Sequence, residues 1–528
     1  MAYVLAYDIG TTGVKTCLFE LNERITLLAS AQEGYGLYLL ENGGAEQEPE
    51  EWWQSMCRTT RELFTKTDVT PEQVAGLSFC SQMQALVLVD REGVPVRRAM
   101  SYMDQRAGEE LKKGLAHGPQ IAGANVPKLL KCLQATGAVP SSVKDPVWKY
   151  KWVEAHEPEN FRLADKWLDV KDYLILRCTG KALMTEDSAY ATLLYDTKKR
   201  VWSEPLCQMF GVNTAHLPPI IQASDQAGGL TAKSAEELGL APDTPVFGGG
   251  GDASLIGIGA GAAKLGSTHI YCGTSGWVST VTDRQLVDVD AMIAAIVGAQ
   301  KGRYNYFAEM ETAGKCLEWV KDHLALDEIG VYLDQKDITG SQEAVYTSLY
   351  DYLTETVGKV PPGAGGVIFT PWLHGNRCPF EDPNAAGMFF NIKLDTGKTE
   401  LIRAVLEGVC FHLRWMLECQ AKKIKTSDPV RFVGGGALSP VTAQILADVT
   451  GRIIQTVSSP QNAGSVGAAA VMAVGLGIIP SLDAAGRLIP PERTFRPNPA
   501  SKAVYDKSFS VFRKLYAANK ANFRALNG

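Results

Sequence analysis

The sequence has no CxxC pair, and none of its 11 cysteines, scattered singly from Cys17 to Cys419, has histidines beside it at zinc-ligand spacing. That excludes a zinc finger or ribbon and points to reduced, mostly buried thiols. Runs of like charge are missing too: 52 Lys+Arg against 58 Asp+Glu leave a net charge of -6 with no basic block. No nucleic-acid partner is therefore expected. The most apolar later stretch, GAAAVMAVGLGII, is too short and too glycine-rich to cross a bilayer comfortably, and no basic-flanked leader precedes Asp8. The expectation is a cytoplasmic protein with no membrane partner. Neither GxxxxGK[ST] nor GxGxxG is matched by any glycine cluster, since DTGKT lacks the required glycine upstream of Gly397. A phosphate, if held, must be held by another device.

What is present is glycine, 51 residues of it, much of it at the ends of strand-like runs. At 528 residues the chain is too long for one core, and 45% hydrophobic with 21% charged residues is an ordinary globular balance. Residues 3 to 7 and 14 to 21 are rich in Val, Leu, Phe and Tyr and flank Gly10-Thr11-Thr12-Gly13, a hairpin signal. A second hairpin is expected around the Asp90–Gly93 turn. Helices are expected in EPEEWWQSMCRTTRELFTK, with Glu48 as cap and Pro49 in the first turn, and in VWKYKWVEAHEPENF. Strands mixed with helices make the class α/β.

Near the middle the chain restarts. PVFGGGGDASLIGIGAGAAKLGSTHIYCGTSGWVSTV holds a glycine run, Asp252 and a second strand–Gly–Thr–strand hairpin, and YCGTSGWVST echoes YDIGTTGVKT in form. The boundary is placed near Gly257, giving units 1–256 and 257–528. A third cluster, VRFVGGGALSPVTAQILADVTG, reads as strand, glycine turn and a helix begun by Ser439-Pro440.

Glycine and threonine at a hairpin tip let backbone N–H groups converge on an anion, with no Cβ to block it and hydroxyls as further donors. A lone GTTG is as well explained by a tight turn; a second such tip, Gly273-Thr274-Ser275-Gly276, favours phosphate. Asp8 beside that phosphate would repel it unless a cation such as Mg²⁺ lay between. Asp252 reads either as a helix cap or as a base for a phosphoryl acceptor.

Ten ordered motifs resemble those of the FGGY carbohydrate kinases, and most of all their xylulokinase branch: DIGTTGVK, AEQEPEEWW, SQMQALVLVD, SYMDQRA, DVKDYLILRCTG, GGGGDAS, YCGTSGW, LHGNRCPFEDPNAAGMFF, LIRAVLEGVCF and GGGALSPVTAQILADVTG. The resemblance runs from Asp8 to about Gly475. It implies two actin-like (ribonuclease-H-like) α/β domains, the first sugar-binding and the second nucleotide-binding, with a nucleotide cleft between them. It further implies an ATP- and Mg²⁺-dependent transfer of the γ-phosphoryl group to a primary hydroxyl of a pentulose or a related small sugar or polyol.

On that resemblance Asp252 is the catalytic base and Asp8 the metal residue. Thr11, Thr12, Gly273 and Thr274 match the two phosphate loops, and Gly314, Gly435, Gly436 and Ser439 match segments lining the nucleotide. Lys15 falls where the family often has a basic residue and reads equally as a solvated strand lysine. Gln82, Met83, Gln84, Asp104 and Arg106 match sugar-side segments, although Asp104 and Arg106 also read as an ion pair shaping their loop. Trp52 and Trp53 read as packing, and His374 and Arg377 as structural. Members of the family are often dimers, so a homodimer is the expected assembly.

Two positions depart from the xylulokinase pattern. Gln82-Met83-Gln84-Ala85 stands where Gln-Met-His-Gly is usual, and Ala253 where Asn usually follows the catalytic aspartate. Both changes alter hydrogen-bonding capacity, which points to a pocket remodelled for a sugar other than D-xylulose. Glycerol, ribulose, gluconate and erythritol-like compounds are the alternative acceptors. An actin- or chaperone-like ATPase switch is the rival class, and it would need none of the sugar-side segments.

Overall fold

The computed structural model describes residues 2–116, 119–121, 124–324 and 357–528. Its frame is two twisted sheets. In the first, β1 (Ala2–Ile9), β2 (Gly13–Leu21) and β3 (Ile25–Gly34) form an antiparallel meander, because alternate apolar residues are followed by tight turns at residues 10–12 and 22–24. On the other side of β1 lie β4 (Val74–Ser81), then β6 (Pro245–Phe247) and β5 (Gln226–Gly229), with the short β7 (Gly250–Gly251) also on β4. β4 is parallel to β1, and β6 and β7 are parallel to β4.

The second sheet repeats the order and polarity of the first. β8 (Thr268–Cys272) and β9 (Gly276–Thr282) are the hairpin, extended through β12 (Tyr304–Met310) to β11 (Ile293–Val297) and β10 (Val287–Asp288). On the other side of β8 come β13 (Val430–Val433) and β14 (Ile454–Val457), both parallel, and the antiparallel β15 (Pro491–Phe495). The echo between the two hairpin sequences is thus an echo of topology.

Helices begin where the sequence signals them. In α1 (Pro49–Leu63) Pro49 occupies the first helical position, and Trp52 and Trp53 are fully buried. Glu48 holds the cap position without capping; its side chain pairs with Arg98 instead. The stretch expected as one helix from Val147 is two, α2 (Pro146–His156) and a short helix over Pro158–Leu163. Pro158 cannot donate to the preceding turn and so ends α2. The Asp90–Gly93 turn forms, but the hairpin it closes is brief, with one bridge from Val89 to Pro95. The remaining helices used below are α3 (Val170–Thr179), α4 (Asp252–Gly259), α5 (Gly314–His323), α6 (Pro440–Thr450) and α7 (Ala463–Gly475).

The two sheets are joined by the crossing of α4 and α7. Each is built almost wholly of small and aliphatic residues, and α7 also lies against β1 and β4 of the first sheet. Close approach depends on glycine: a Cβ on Gly259 would stand 1.8 Å from the Ala463 carbonyl oxygen, and one on Gly467 would stand 2.3 Å from that of Leu255. One apolar core therefore includes Val4 and Phe19 of the first sheet, Leu255 and Ile258 of α4, Ala468 to Ala473 of α7, and Val433 and Val457 of the second sheet. All 11 cysteines are buried and none forms a disulfide. Among the described residues no helix is long and apolar enough to cross a membrane.

Gly259→Ala forces one of the two helices to move, and overpacking of this kind costs about 1–3 kcal/mol. We expect the apparent Tm to fall by at least about 3 °C. Gly108→Ala, where a Cβ meets nothing within 4 Å, should leave it unchanged or slightly raised. Equal melting of the two variants by scanning calorimetry would refute the role assigned to the helix crossing.

Candidate active site

The two hairpin tips have the same hydrogen-bonding logic. At the first, Gly10 donates its N–H to the Gly13 carbonyl at 2.9 Å. The carbonyls of the tip turn back into protein: Gly10 accepts from the Tyr35 hydroxyl at 2.5 Å, Thr11 from Gln47 Nε2 at 2.7 Å, and Thr12 from the Tyr35 N–H at 3.0 Å. No acceptor among the described residues takes the N–H of Thr11 or Thr12. At the second tip Gly273 N–H bonds the Ser275 carbonyl at 3.0 Å, while the carbonyls of Gly273 and Thr274 accept from Gly314, Ala313 and Lys315 at the start of α5. The N–H groups of Thr274 and Ser275 are likewise left over. Paired carbonyls and spare N–H groups suit an anion, and Thr12 and Thr274 are both exposed.

Gly314 is there for space, since a Cβ would lie 2.3 Å from the Gly273 carbonyl oxygen. The late glycines join the same neighbourhood: a Cβ on Gly436 would touch Cys272 Sγ at 2.8 Å, at the foot of the second tip, and Gly435 stands half-exposed beside it. Ser439 is fully buried and its hydroxyl accepts the Thr442 N–H at 3.2 Å, so that group is committed to capping α6.

Register brings the two aspartates together. Asp8 pairs with Cys80, Cys80 with Gly250, and Ser81 with Gly251, so Asp252 emerges two strand spacings, about 10 Å of sheet, from Asp8. Asp252 is the first residue of α4, with Gly251 in the cap position; its Oδ1 accepts the Ala253 N–H at 2.7 Å. Burial pushes its carboxyl up to about 7, and the neighbouring charges of Asp8, Glu309 and Asp169 act in the same direction. A carboxyl half ionised near neutrality is matched to taking a proton from an alcohol as it attacks. Burial also raises the Asp8 carboxyl, against the pull of Lys15, its cross-strand partner. Lys15 reaches to Asn462 Oδ1 at 3.0 Å, tying β2 to the segment that leads into α7. From the second sheet, the Tyr271 hydroxyl is raised by burial and, in the same direction, by the charges of Asp8 and Asp252.

Asp252 is held from beneath by groups that sequence reasoning missed. Asp187 Oδ2 accepts the Gly251 N–H at 2.7 Å, and its other oxygen accepts from the Thr185 hydroxyl at 2.5 Å. Lys171, wholly buried, pairs with Asp172 at 2.9 Å and bonds Thr185 and Ser188. Asp187 stays below its ordinary range although burial raises it, because Lys171 and the hydroxyls outweigh that effect. No spacing rule marks Asp187; only the fold sets it under Gly251.

In the segment after β4, Gln82 donates to Gln47 Oε1 at 2.9 Å, and Gln47 in turn to the Thr11 carbonyl, a relay from that segment to the first tip. The Met83 side chain covers Gly251, where any Cβ would collide with its sulfur. Gln84 adopts φ +66°. That left-handed conformation costs a non-glycine residue about 1–2 kcal/mol, and it is held by bonds to Asp169 and Lys149. Asp104 is fully buried, accepts the Ala45 N–H at 2.9 Å and pairs with Arg106, which also reaches Glu46. In this structure Asp104 and Arg106 bind each other and fasten their loop to residues 45–46. Arg377 bridges Glu309 at 2.6 Å and Glu311 at 2.7 Å, and His374 is exposed.

Family models match nearly the whole chain: the N-terminal domain of the FGGY family of carbohydrate kinases over residues 3–259 and its C-terminal domain over residues 269–476. The xylulose kinase of Staphylococcus epidermidis is 27% identical over 525 residues, covering 98% of this chain and 97% of that protein. A ligand-bound xylulose kinase from Lactobacillus acidophilus superposes with a TM-score of 0.83 at 25% identity, covering all of both chains. A gluconate kinase from the same organism gives 0.83 at 25%, with 99% of each chain covered.

Because the base must be unprotonated, a carboxyl at about 7 makes kcat/KM rise roughly tenfold per pH unit below 7 and level off above it. Glu309→Gln removes a like charge and should move that limb to lower pH. A limb that stays in place, or moves up, contradicts the electrostatic assignment. Asp252→Asn should lower kcat by about 10²-fold or more while nucleotide affinity, measured by titration, stays near that of the unmutated protein.

Proposed function

This chain belongs to the FGGY family of carbohydrate kinases, and from that premise we propose that it transfers the γ-phosphoryl group of ATP to a primary hydroxyl of an uncharged pentulose or polyol, with Asp252 as the base. The reading rests on the carboxyl of Asp252, raised to about 7 at the edge of the first sheet, and on two hairpin tips that each leave two N–H groups unused. Those N–H groups, with the Thr11, Thr12 and Thr274 hydroxyls, would hold phosphate oxygens. Asp252 would accept the proton as the hydroxyl oxygen bonds to phosphorus and ADP leaves in line. Gly314, Gly435 and Gly436 would give the nucleotide room.

A magnesium ion fits at Asp8. Gly464 presents no side chain to it: a Cβ there would stand 2.8 Å from Asp8 Oδ2. Among the described residues no group of three or more metal-ligating side chains exists, which suits an ion held by one carboxylate, water and phosphate oxygens. When bound, it would offset charge on the transferring phosphate. Asp8→Ala should lose most activity and require more Mg²⁺ for what remains; an unchanged Mg²⁺ titration would remove Asp8 from that role.

An uncharged acceptor is favoured over a sugar acid by the charges around the base. Asp8, Asp169 and Glu309 already surround Asp252, while Lys149 is wholly buried, Lys15 is bonded to Asn462 and Arg377 is taken by two glutamates. A substrate carboxylate would add to the repulsion of those three acidic groups. A panel of D-xylulose, D-ribulose, erythritol, glycerol and D-gluconate, read by ADP release, tests this. We expect a neutral pentulose or polyol to exceed D-gluconate by about 10²-fold or more in kcat/KM. D-gluconate ranking first would overturn the substrate class, and ADP release indifferent to every acceptor would favour an ATPase switch.

A further inference from the structure

The segment from Gln82 to Ala85 departs from the family pattern at its last two residues, and those are the two whose N–H groups one buried carboxylate holds. Asp169 Oδ2 accepts the Gln84 N–H at 2.9 Å, and its Oδ1 accepts that of Ala85 at 3.0 Å. The same Oδ1 takes the Val170 N–H at 2.8 Å and caps α3. From the other side Lys149 Nζ donates to the Gln84 carbonyl at 2.7 Å. Lys149 is wholly buried on α2 and has no carboxylate within ion-pair distance among the described residues. Gln84 is therefore gripped at both its N–H and its carbonyl, at φ +66°, a conformation that side chains other than Asn and Asp seldom hold unaided.

The grip is also referenced to the catalytic turn. Two residues after the cap, α3 carries Lys171, whose ammonium joins Thr185 and Ser188 beside Asp187, and Asp187 takes the Gly251 N–H. The Gln84 bend and the start of α4 are thus hung on one buried scaffold.

We propose that Asp169 and Lys149 are positioning residues that set sugar selectivity, by locking the Gln84–Ala85 bend so that the Gln84 amide faces the sugar at a fixed place relative to Asp252. This rests on the reading that residues 82–84 line the sugar pocket. Without the clamp the backbone at Gln84 relaxes towards negative φ and carries its side chain out of place. ATP binding, at the two tips, is untouched.

A double-mutant cycle tests the clamp, measured as KM for D-xylulose, or for the panel member of highest kcat/KM if that is another, with KM for ATP alongside. Asp169→Asn keeps the shape but replaces one acceptor with a donor. It should raise KM for the sugar about tenfold or more and leave KM for ATP within about twofold. Gln84→Gly removes both the amide and the strain, so in that background Asp169→Asn should change KM for the sugar by less than about twofold. An equal factor in both backgrounds would show Asp169 to be merely structural and overturn the proposal alone. No change in KM for the sugar on Gln84→Gly by itself would overturn the pocket reading and the proposal with it. If Asp169→Asn fails to fold, Lys149→Met takes its place in the cycle, with the same outcomes expected.

Discussion

The structure depends most on one rung of parallel pairing, in which Asp8, Cys80 and Gly250 lie side by side across β1, β4 and β7. Parallel strands end together, so all three chains leave the sheet at the same edge, where α/β proteins bind their ligands. One residue beyond that edge stand the phosphate-loop turn, the Gln82 segment and Gly251-Asp252. Hydrogen-bond register brings Asp8, the Gln82 segment and Asp252 to one edge of the sheet, where the Met83 side chain also packs over Gly251. Partial burial then pushes the Asp252 carboxyl up to about 7, and the neighbouring acidic groups act in the same direction.

The second sheet offers the matching edge. Its β8, β9 and β13 repeat β1, β2 and β4 in order and direction, and its hairpin tip leaves the same N–H groups spare. What keeps the two edges in reach is the crossing of α4 and α7, whose glycines allow backbones to touch. α4 begins with Asp252 and α7 begins beside Asp8, so a shift of one lobe on the other is felt first at these two carboxylates.

Much of this was legible in the chain itself. The strand–Gly–Thr–strand repeats announced both tips, because glycine at the end of an apolar run has few structural explanations once it occurs twice. Ser439-Pro440 and Pro49 announced helix starts, and both helices begin there. The break after His156 was missed because the helical pattern of VWKYKWVEAH outweighed the proline signal at Pro158. Glu48 was read as a cap by position, yet its carboxylate lies with Arg98. The supporting shell was illegible for a physical reason. Asp169, Asp187, Lys149 and Gln47 act through backbone groups distant in sequence, and a bond from Asp187 to Gly251 leaves no periodicity or spacing to read. Asp169 alone gave a local sign, as an aspartate directly before a helix.

The central claim is that the acceptor hydroxyl and the γ-phosphate meet over Asp252, between the two hairpin tips. A crystal structure of the ternary complex with ADP, Mg²⁺ and the best sugar of the panel addresses it directly. Phosphate oxygens are expected on the N–H groups of residues 11–12 and 274–275, and the sugar's primary hydroxyl within about 3.2 Å of an Asp252 oxygen. A sugar bound elsewhere, with its hydroxyl beyond reach of Asp252 and the two tips empty of phosphate, would contradict it.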